Sequence, residues 1–201
     1  MPKSTLIAVI TLLSCFAQAL PFREGGVSGG GGNVLNPQNP KIILDSEKAE
    51  HIVRASKLYA HIFFANAEEE YLKGTAPADV MAVYKKIFEN NNVTEVLDTV
   101  HPHVRDYGPC YDYSLNPVDA SVASLEPDRF CVSSYALSHK VLPESLPIQA
   151  AALMAHEYTE VMGLGETEAV IIQKQALNDL QQLALPPLEV EGCENNNVEG
   201  K

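Results

Sequence analysis

One segment, residues 149–162, restricts the fold more than any other. It is rich in Ala, Leu and Met, so it predicts a largely buried helix that ends before Gly163. Within this segment, His156, Glu157 and Glu160 bring three ionisable side chains into apolar surroundings. Burial of such groups is costly unless they are paired with other groups or coordinate a metal ion. The sequence therefore predicts a functional site inside the core helix.

The spacing of the three side chains favours a metal site. His156 and Glu160 are four residues apart, so they lie on one face of a helix and can reach a common ion. Glu157 is turned by about 100° from His156, where its carboxylate could polarise a water bound to that ion.

A third ligand is expected from the start of the next helix. A turn after Gly163 can bring Glu166 or Glu168 back to the same point, and the spacing leaves open which of the two is the ligand. The alternative is a site without metal. In that interpretation His156 is a hydrogen-bonded core histidine, and the two glutamates of its helix face water or pair with basic residues.

At these residues the sequence resembles the zincin metallopeptidases, whose active-site helix carries His-Glu-x-x-His. The resemblance makes His156 the first metal ligand and Glu157 the general base, and Glu160 stands where the family has its second histidine. It implies a divalent metal, zinc, and a peptide or protein substrate. The chain also resembles small exported bacterial proteins that carry a glycine-rich leader and this helix.

Two further segments extend the resemblance. The sequence Glu166-Thr167-Glu168-Ala169 at a helix start is similar to the glutamate helix of gluzincins, and no methionine follows Met162 to form the Met-turn of metzincins. Residues 130–133 resemble the edge strand that aligns the substrate backbone in zincins. Two functions follow from the resemblance: a metal-dependent peptidase, or a zincin-fold binding module that has lost catalysis.

The N-terminus predicts export. Lys3 precedes a short apolar run, and Ala17-Gln18-Ala19 gives a small-x-small cleavage pattern, so residues 1–19 are expected to be a signal peptide. A lipoprotein cleavage box before Cys15 is the alternative, and it would tether the protein to a membrane. The expected location is the periplasm or the extracellular space.

Composition divides the rest of the chain. Residues 20–41 are Gly-, Asn- and Pro-rich and predict a flexible leader, and residues 188–201 predict a flexible acidic tail. The segment between them, residues 42–187, is expected to be one α+β domain that is mostly helical. Helices are predicted at 46–72, 75–90, 93–100, 149–162 and 167–185, and strands only between 104 and 137.

Charge and cysteine content limit the partners and the compartment. The formal net charge of −12 disfavours nucleic acid and anionic membrane surfaces as partners. In an oxidising compartment Cys110 and Cys131 are expected to form a disulfide, because they bracket a loop of suitable length. Cys193 lies in the polar tail and has no predicted disulfide partner.

Overall fold

The computed structural model describes residues 32–35, 37–38, 40–41, 43–123 and 128–188. The predicted signal peptide, Cys15, Cys193 and nearly all of the predicted tail lie outside these residues. Within the described residues the chain is mostly helical with a few short strands, which confirms the predicted α+β class. No helix in this part of the chain is long and apolar enough to cross a membrane.

The described helices depart from the predicted pattern in two places: the first helix is divided, and a short helix at residues 134–140 overlaps the segment that was predicted to form strands. They are α1 (Ser46–Ala55), α2 (Lys57–Lys73), α3 (Ala78–Asn90), α4 (Val93–Thr99), α5 (Ser134–Lys140), α6 (Leu146–Val161) and α7 (Glu166–Gln182). The single helix predicted over residues 46–72 is divided at Ser56, whose hydroxyl donates to the carbonyl of Ile52 at 2.7 Å. Such a bond to the carbonyl four residues earlier competes with the backbone ladder and bends a helix.

The described strands form two small sheets. They are β1 (His101–Arg105), β2 (Cys110–Tyr111), β3 (Pro117–Val118), β4 (Ala120–Ser121) and β5 (Arg129–Ser133). The larger sheet has the order β1-β5-β4, in which β5 runs parallel to β1 and antiparallel to β4. β2 and β3 form an antiparallel pair.

The strand predicted at residues 130–133 is confirmed, but its expected position at the sheet edge is wrong. β5 pairs with β1 on one side and with β4 on the other, so it is the central strand of this sheet. The two edge strands are β1 and β4. The buried, apolar Phe130 and Val132 suit a central strand, and their alternation could not distinguish a central strand from an edge strand.

The Cys110–Cys131 disulfide is confirmed. The two Cα atoms lie 5.9 Å apart, and the bond joins β2 to β5. It therefore connects the two small sheets, and its presence is compatible with an exported protein.

Helix α6 lies at the centre of the core. Its residues from Ala150 to Ala155 are fully buried. Tyr158 packs edge-on against Phe130 of β5 and Phe64 of α2, with ring centroids 4.9 and 6.1 Å apart. Its hydroxyl donates to the carbonyl of Val100 at 3.1 Å. These contacts fix α6 against the sheet and against α2, and so fix the direction of its ionisable side chains.

Part of the predicted flexible leader packs against the folded domain. Gly32 and Val34 are buried, and the backbone N–H of Gln38 donates to the carbonyl of Lys140 at 2.5 Å. Composition missed this docking because the bonds use backbone atoms, which a glycine- and asparagine-rich segment offers as freely as any other. The rest of the predicted leader, residues 20–31, 36 and 39, lies outside the described residues.

Candidate metal centre

The site is built where α6 ends and α7 begins. Glu160 lies in the last turn of α6, and Gly163 takes a positive φ of 82° in the turn that follows. Glycine adopts this conformation without the strain that a Cβ would bring. Gly165 then caps α7, whose first residue is Glu166. The chain thus reverses within a few residues and returns an acidic helix start to the end of α6.

Three side chains of α6 form a cluster that could hold a metal ion. His156, Glu157 and Glu160 each offer a ligand atom, and these atoms lie within 4.8 Å of one another. His156 is 1% exposed and Glu157 is fully buried, whereas Glu160 is partly buried. The expected grouping of His156 with Glu160 is therefore seen, and Glu157 lies closer to it than the sequence indicated.

The two glutamates of α7 point to different partners. Oε2 of Glu166 lies 3.4 Å from Nε2 of His156, within ion-pair distance. Oε1 of Glu168 instead accepts a hydrogen bond from Nζ of Lys86 at 2.7 Å. The structure thus brings Glu166 to the cluster and turns Glu168 towards α3.

Gln173 fixes the ring of His156. Nε2 of Gln173 donates to the carbonyl of Asn33 at 2.9 Å, so its Oε1 is the atom 3.1 Å from Nδ1 of His156. That oxygen can only accept, so Nδ1 must carry the hydrogen. In the neutral ring, Nε2 then has a lone pair directed at the Glu166 carboxylate. Two lone pairs facing each other require a cation or a proton between them.

Several polar atoms at this point are buried without a partner. Five atoms of this site are shielded from solvent and make no hydrogen bond: His156 Nε2, Glu157 Oε2, both carboxylate oxygens of Glu160, and Glu166 Oε2. Elsewhere in the described residues the same holds for one atom each of His61, Glu70, Tyr84 and Gln149. Buried polar atoms in native proteins nearly always have partners, and a bound ion can be the partner of atoms that lack one within the protein. All five atoms of this site can bind a cation.

The electrostatics of the site are those of carboxylates held together away from water. Burial, with the nearby Glu160, raises the pKa of Glu157 well above its usual value. Burial and the Glu166 carboxylate raise the pKa of Glu160 to about 8. Contact with the His156 ring lowers the pKa of Glu166. A divalent cation among these groups would favour their ionised forms and lower the cost of burying them.

Two residues of the site escaped the sequence analysis. Gln173 lies seven residues after Glu166, hence on the same face of α7, and it is a polar residue in an otherwise apolar stripe. That pattern could have revealed it. Gly32 donates its backbone N–H to Oε1 of Glu157 at 3.1 Å. A backbone contact between segments this far apart in the chain leaves no signal in the sequence.

Comparison of the chain with known protein families, with curated proteins and with solved structures finds no match in any of the three. The likeness to zincins therefore remains a resemblance carried by the residues of α6 and of the start of α7.

Proposed function

We propose that this protein is an exported zincin-like hydrolase that binds a divalent metal ion, zinc, and cleaves peptides. The observation that carries the proposal is the convergence of ligand atoms of His156, Glu157 and Glu160, with Oε2 of Glu166 3.4 Å from Nε2 of His156, in a cluster whose buried atoms include several that lack hydrogen-bond partners. An arrangement that satisfied itself with protein donors would not need an ion.

The proposed ligands are Nε2 of His156 and one carboxylate oxygen each from Glu160 and Glu166. Zinc accepts nitrogen and oxygen ligands at roughly 2.0–2.2 Å, and catalytic zinc sites use three protein ligands and keep one position open. The bond from His156 Nδ1 to Gln173 is the kind of outer contact that orients a metal-binding imidazole. Glu166, with 39% of its side chain exposed, marks the side from which solvent reaches the site.

Glu157 is the proposed general base. When bound, the metal ion supplies a polarised water at its open position. Oε1 of Glu157 is held by the Gly32 N–H, which leaves Oε2 to take the proton from that water. The water oxygen bonds to the peptide carbonyl carbon, the C–N bond breaks, and Glu157 returns the proton to the departing amine.

A substrate backbone would lie along the outer edge of β4. The backbone N–H groups of Asp119 and Ala120 both donate to the carbonyl of Gly32 at this edge, so a substrate would have to displace Gly32 before it added to the sheet as a further strand. This assigns to β4 the role that the sequence analysis gave to residues 130–133.

The second candidate function is a binding module without catalysis. Two observations favour it: Glu160 stands where the zincin pattern has histidine, and Glu157 is fully buried, so no substrate reaches it in this conformation. Without metal, His156 and Glu166 would form an ion pair around a proton. The same β4 edge would then bind a partner peptide.

Metal binding separates the two functions. The mature chain is stripped with a chelator, dialysed against zinc, manganese or calcium, and its metal content is measured by mass spectrometry together with cleavage of a mixed peptide library. One zinc ion per chain with peptide cleavage supports the hydrolase. One zinc ion without cleavage, or no bound ion, contradicts the hydrolase and leaves the binding module.

A further inference from the structure

The backbone of Gly32 is bound on both sides as a peptide ligand would be. Its N–H donates to Oε1 of Glu157 at 3.1 Å. Its carbonyl accepts hydrogen bonds from the N–H groups of Asp119 and Ala120, at 3.2 and 3.0 Å. One residue of the leader therefore joins the edge of β4 to the carboxylate proposed as the base.

The residues that follow Gly32 are held by buried side chains. The N–H of Val34 donates to Oδ2 of Asp119 at 2.9 Å, and the carbonyl of Asn33 accepts from Gln173 at 2.9 Å. Asp119 and Gln173 are each 1% exposed. Buried polar side chains aimed at the backbone of a coil segment form a built binding site, and here the leader fills it.

A side chain at residue 32 would crowd the groups beneath it on α6. A Cβ on residue 32 would lie 2.7 Å from Oε1 of Glu157, 2.7 Å from Cδ1 of Leu153 and 3.2 Å from Cδ2 of His156. The first two distances are shorter than atoms in proteins tolerate, and Leu153 and Glu157 are both fully buried on α6. The restriction is steric, since a side chain has no space at this point.

The leader also closes the site. Glu157 is fully buried and His156 is 1% exposed, although both are proposed to act on a substrate. Residues 32–35 belong to no helix or strand, whereas the groups beneath them lie on the core helix α6. The leader is therefore the element that can move most easily.

We propose that the cleft between β4 and α6 is a binding site for extended peptides with glycine at the position over Glu157, and that residues 32–34 of the leader are its internal occupant. The leader competes with any external peptide for this cleft, so its release exposes the site. This inference rests on the proposed function for the role of Glu157, but the binding itself uses only the β4 edge, Asp119 and Gln173.

The test compares the full mature chain with Gly32→Ala, whose Cβ should expel the leader. The probe is a fluorescent peptide with the sequence of residues 29–38, measured by anisotropy in the presence of a chelator. Gly32→Ala should bind it at least tenfold more tightly than the natural chain, because the internal competitor is gone. A probe with alanine at the position of Gly32 should not bind. The control variant is Leu72→Ala, a change at a side chain of α2 that is 77% exposed, and it should bind as weakly as the natural chain.

A second variant guards against a folding defect in the first. Val34→Asp places a charge in the leader at a buried position and leaves the cleft intact, so it should also bind the probe more tightly. Hydrogen exchange should show faster exchange of the backbone amide of residue 34 in both variants. Equal probe binding by the natural chain and both variants, with unchanged exchange of the residue 34 amide, overturns the inference. Because the assay contains chelator, absence of metal or of hydrolysis would count against the proposed function and leave this result standing.

Discussion

Glu166 and Glu168 are two residues apart at the start of α7, yet they serve different partners. Oε2 of Glu166 lies 3.4 Å from Nε2 of His156, and Oε1 of Glu168 lies 2.7 Å from Nζ of Lys86. The pair thus provides a test variant and its matched control within one helical turn.

Glu166→Gln should weaken zinc binding, because it removes a charged ligand oxygen next to His156. We expect a loss of about tenfold to a hundredfold in affinity, measured by competition with a chromophoric chelator. Glu168→Gln should bind zinc as the natural chain does, since the amide can still accept from the backbone N–H groups of Gly165 and residue 168 and loses only the charge that faces Lys86. An equal loss in both variants would show that general acidity, and not Glu166 as a ligand, attracts the ion.

Glu157→Gln should abolish peptide hydrolysis and leave the amount of bound metal nearly unchanged. The amide is nearly isosteric and can still accept from the Gly32 N–H, but it cannot take a proton from water. Cleavage rate and metal content are measured on the same preparation. Full cleavage activity in this variant would remove Glu157 as the base.

Gln173→Leu should lower zinc affinity by roughly tenfold to a hundredfold, although Gln173 is no ligand. The change removes the acceptor that holds the hydrogen on Nδ1 of His156 and directs Nε2 to the cluster. Gln173→Glu keeps the acceptor and should restore most of the affinity. If Gln173→Glu binds zinc as weakly as Gln173→Leu, orientation of the ring does not explain the effect.

Replacing Cys110 and Cys131 together by serine should reduce the free energy of unfolding by about 3 kcal/mol, because the bond closes a loop of medium length. The measurement is urea denaturation of both proteins. Reductant should destabilise the natural chain by a similar amount and leave the double variant unaffected. A variant as stable as the natural chain would mean that packing alone joins the two sheets.

Glu70→Gln should change how stability depends on pH. Burial, and then the charge of Asp179, raise the pKa of Glu70 in the folded protein, so its contribution to stability is fully present below the unfolded pKa and is lost as pH rises through the folded pKa. The variant should therefore gain stability relative to the natural chain between pH 4.5 and pH 7, measured by urea denaturation.

The neighbouring Glu69 provides the control for that measurement. It is hydrogen-bonded to Lys73, and this contact lowers its pKa, so its contribution is present above the unfolded pKa and is lost as pH falls. Glu69→Gln should therefore show the opposite trend with pH. The same trend in both variants would rule out burial of Glu70 as the cause.

The features that follow from local geometry, namely the helices and the spacing of residues along them, could be predicted from the amino-acid sequence. The periodicity of apolar residues and the position of glycines predicted α6 and α7, and the helical repeat placed His156 and Glu160 on one face with Glu157 beside them. The disulfide was likewise predictable, because few cysteines are available and two of them flank one short loop.

Contacts between segments that are distant in the chain could not be predicted from the sequence, and they are seen only in the folded structure. The turn at Gly163 places Glu166, and not Glu168, next to His156. The packing of α7 on α6 places Gln173 next to the His156 ring. The contact from Gly32 to Glu157 joins residues 125 positions apart through a backbone N–H that every residue except proline carries. The spacing of side chains along a helix can be predicted from their positions in the sequence, whereas such contacts depend on how whole elements pack.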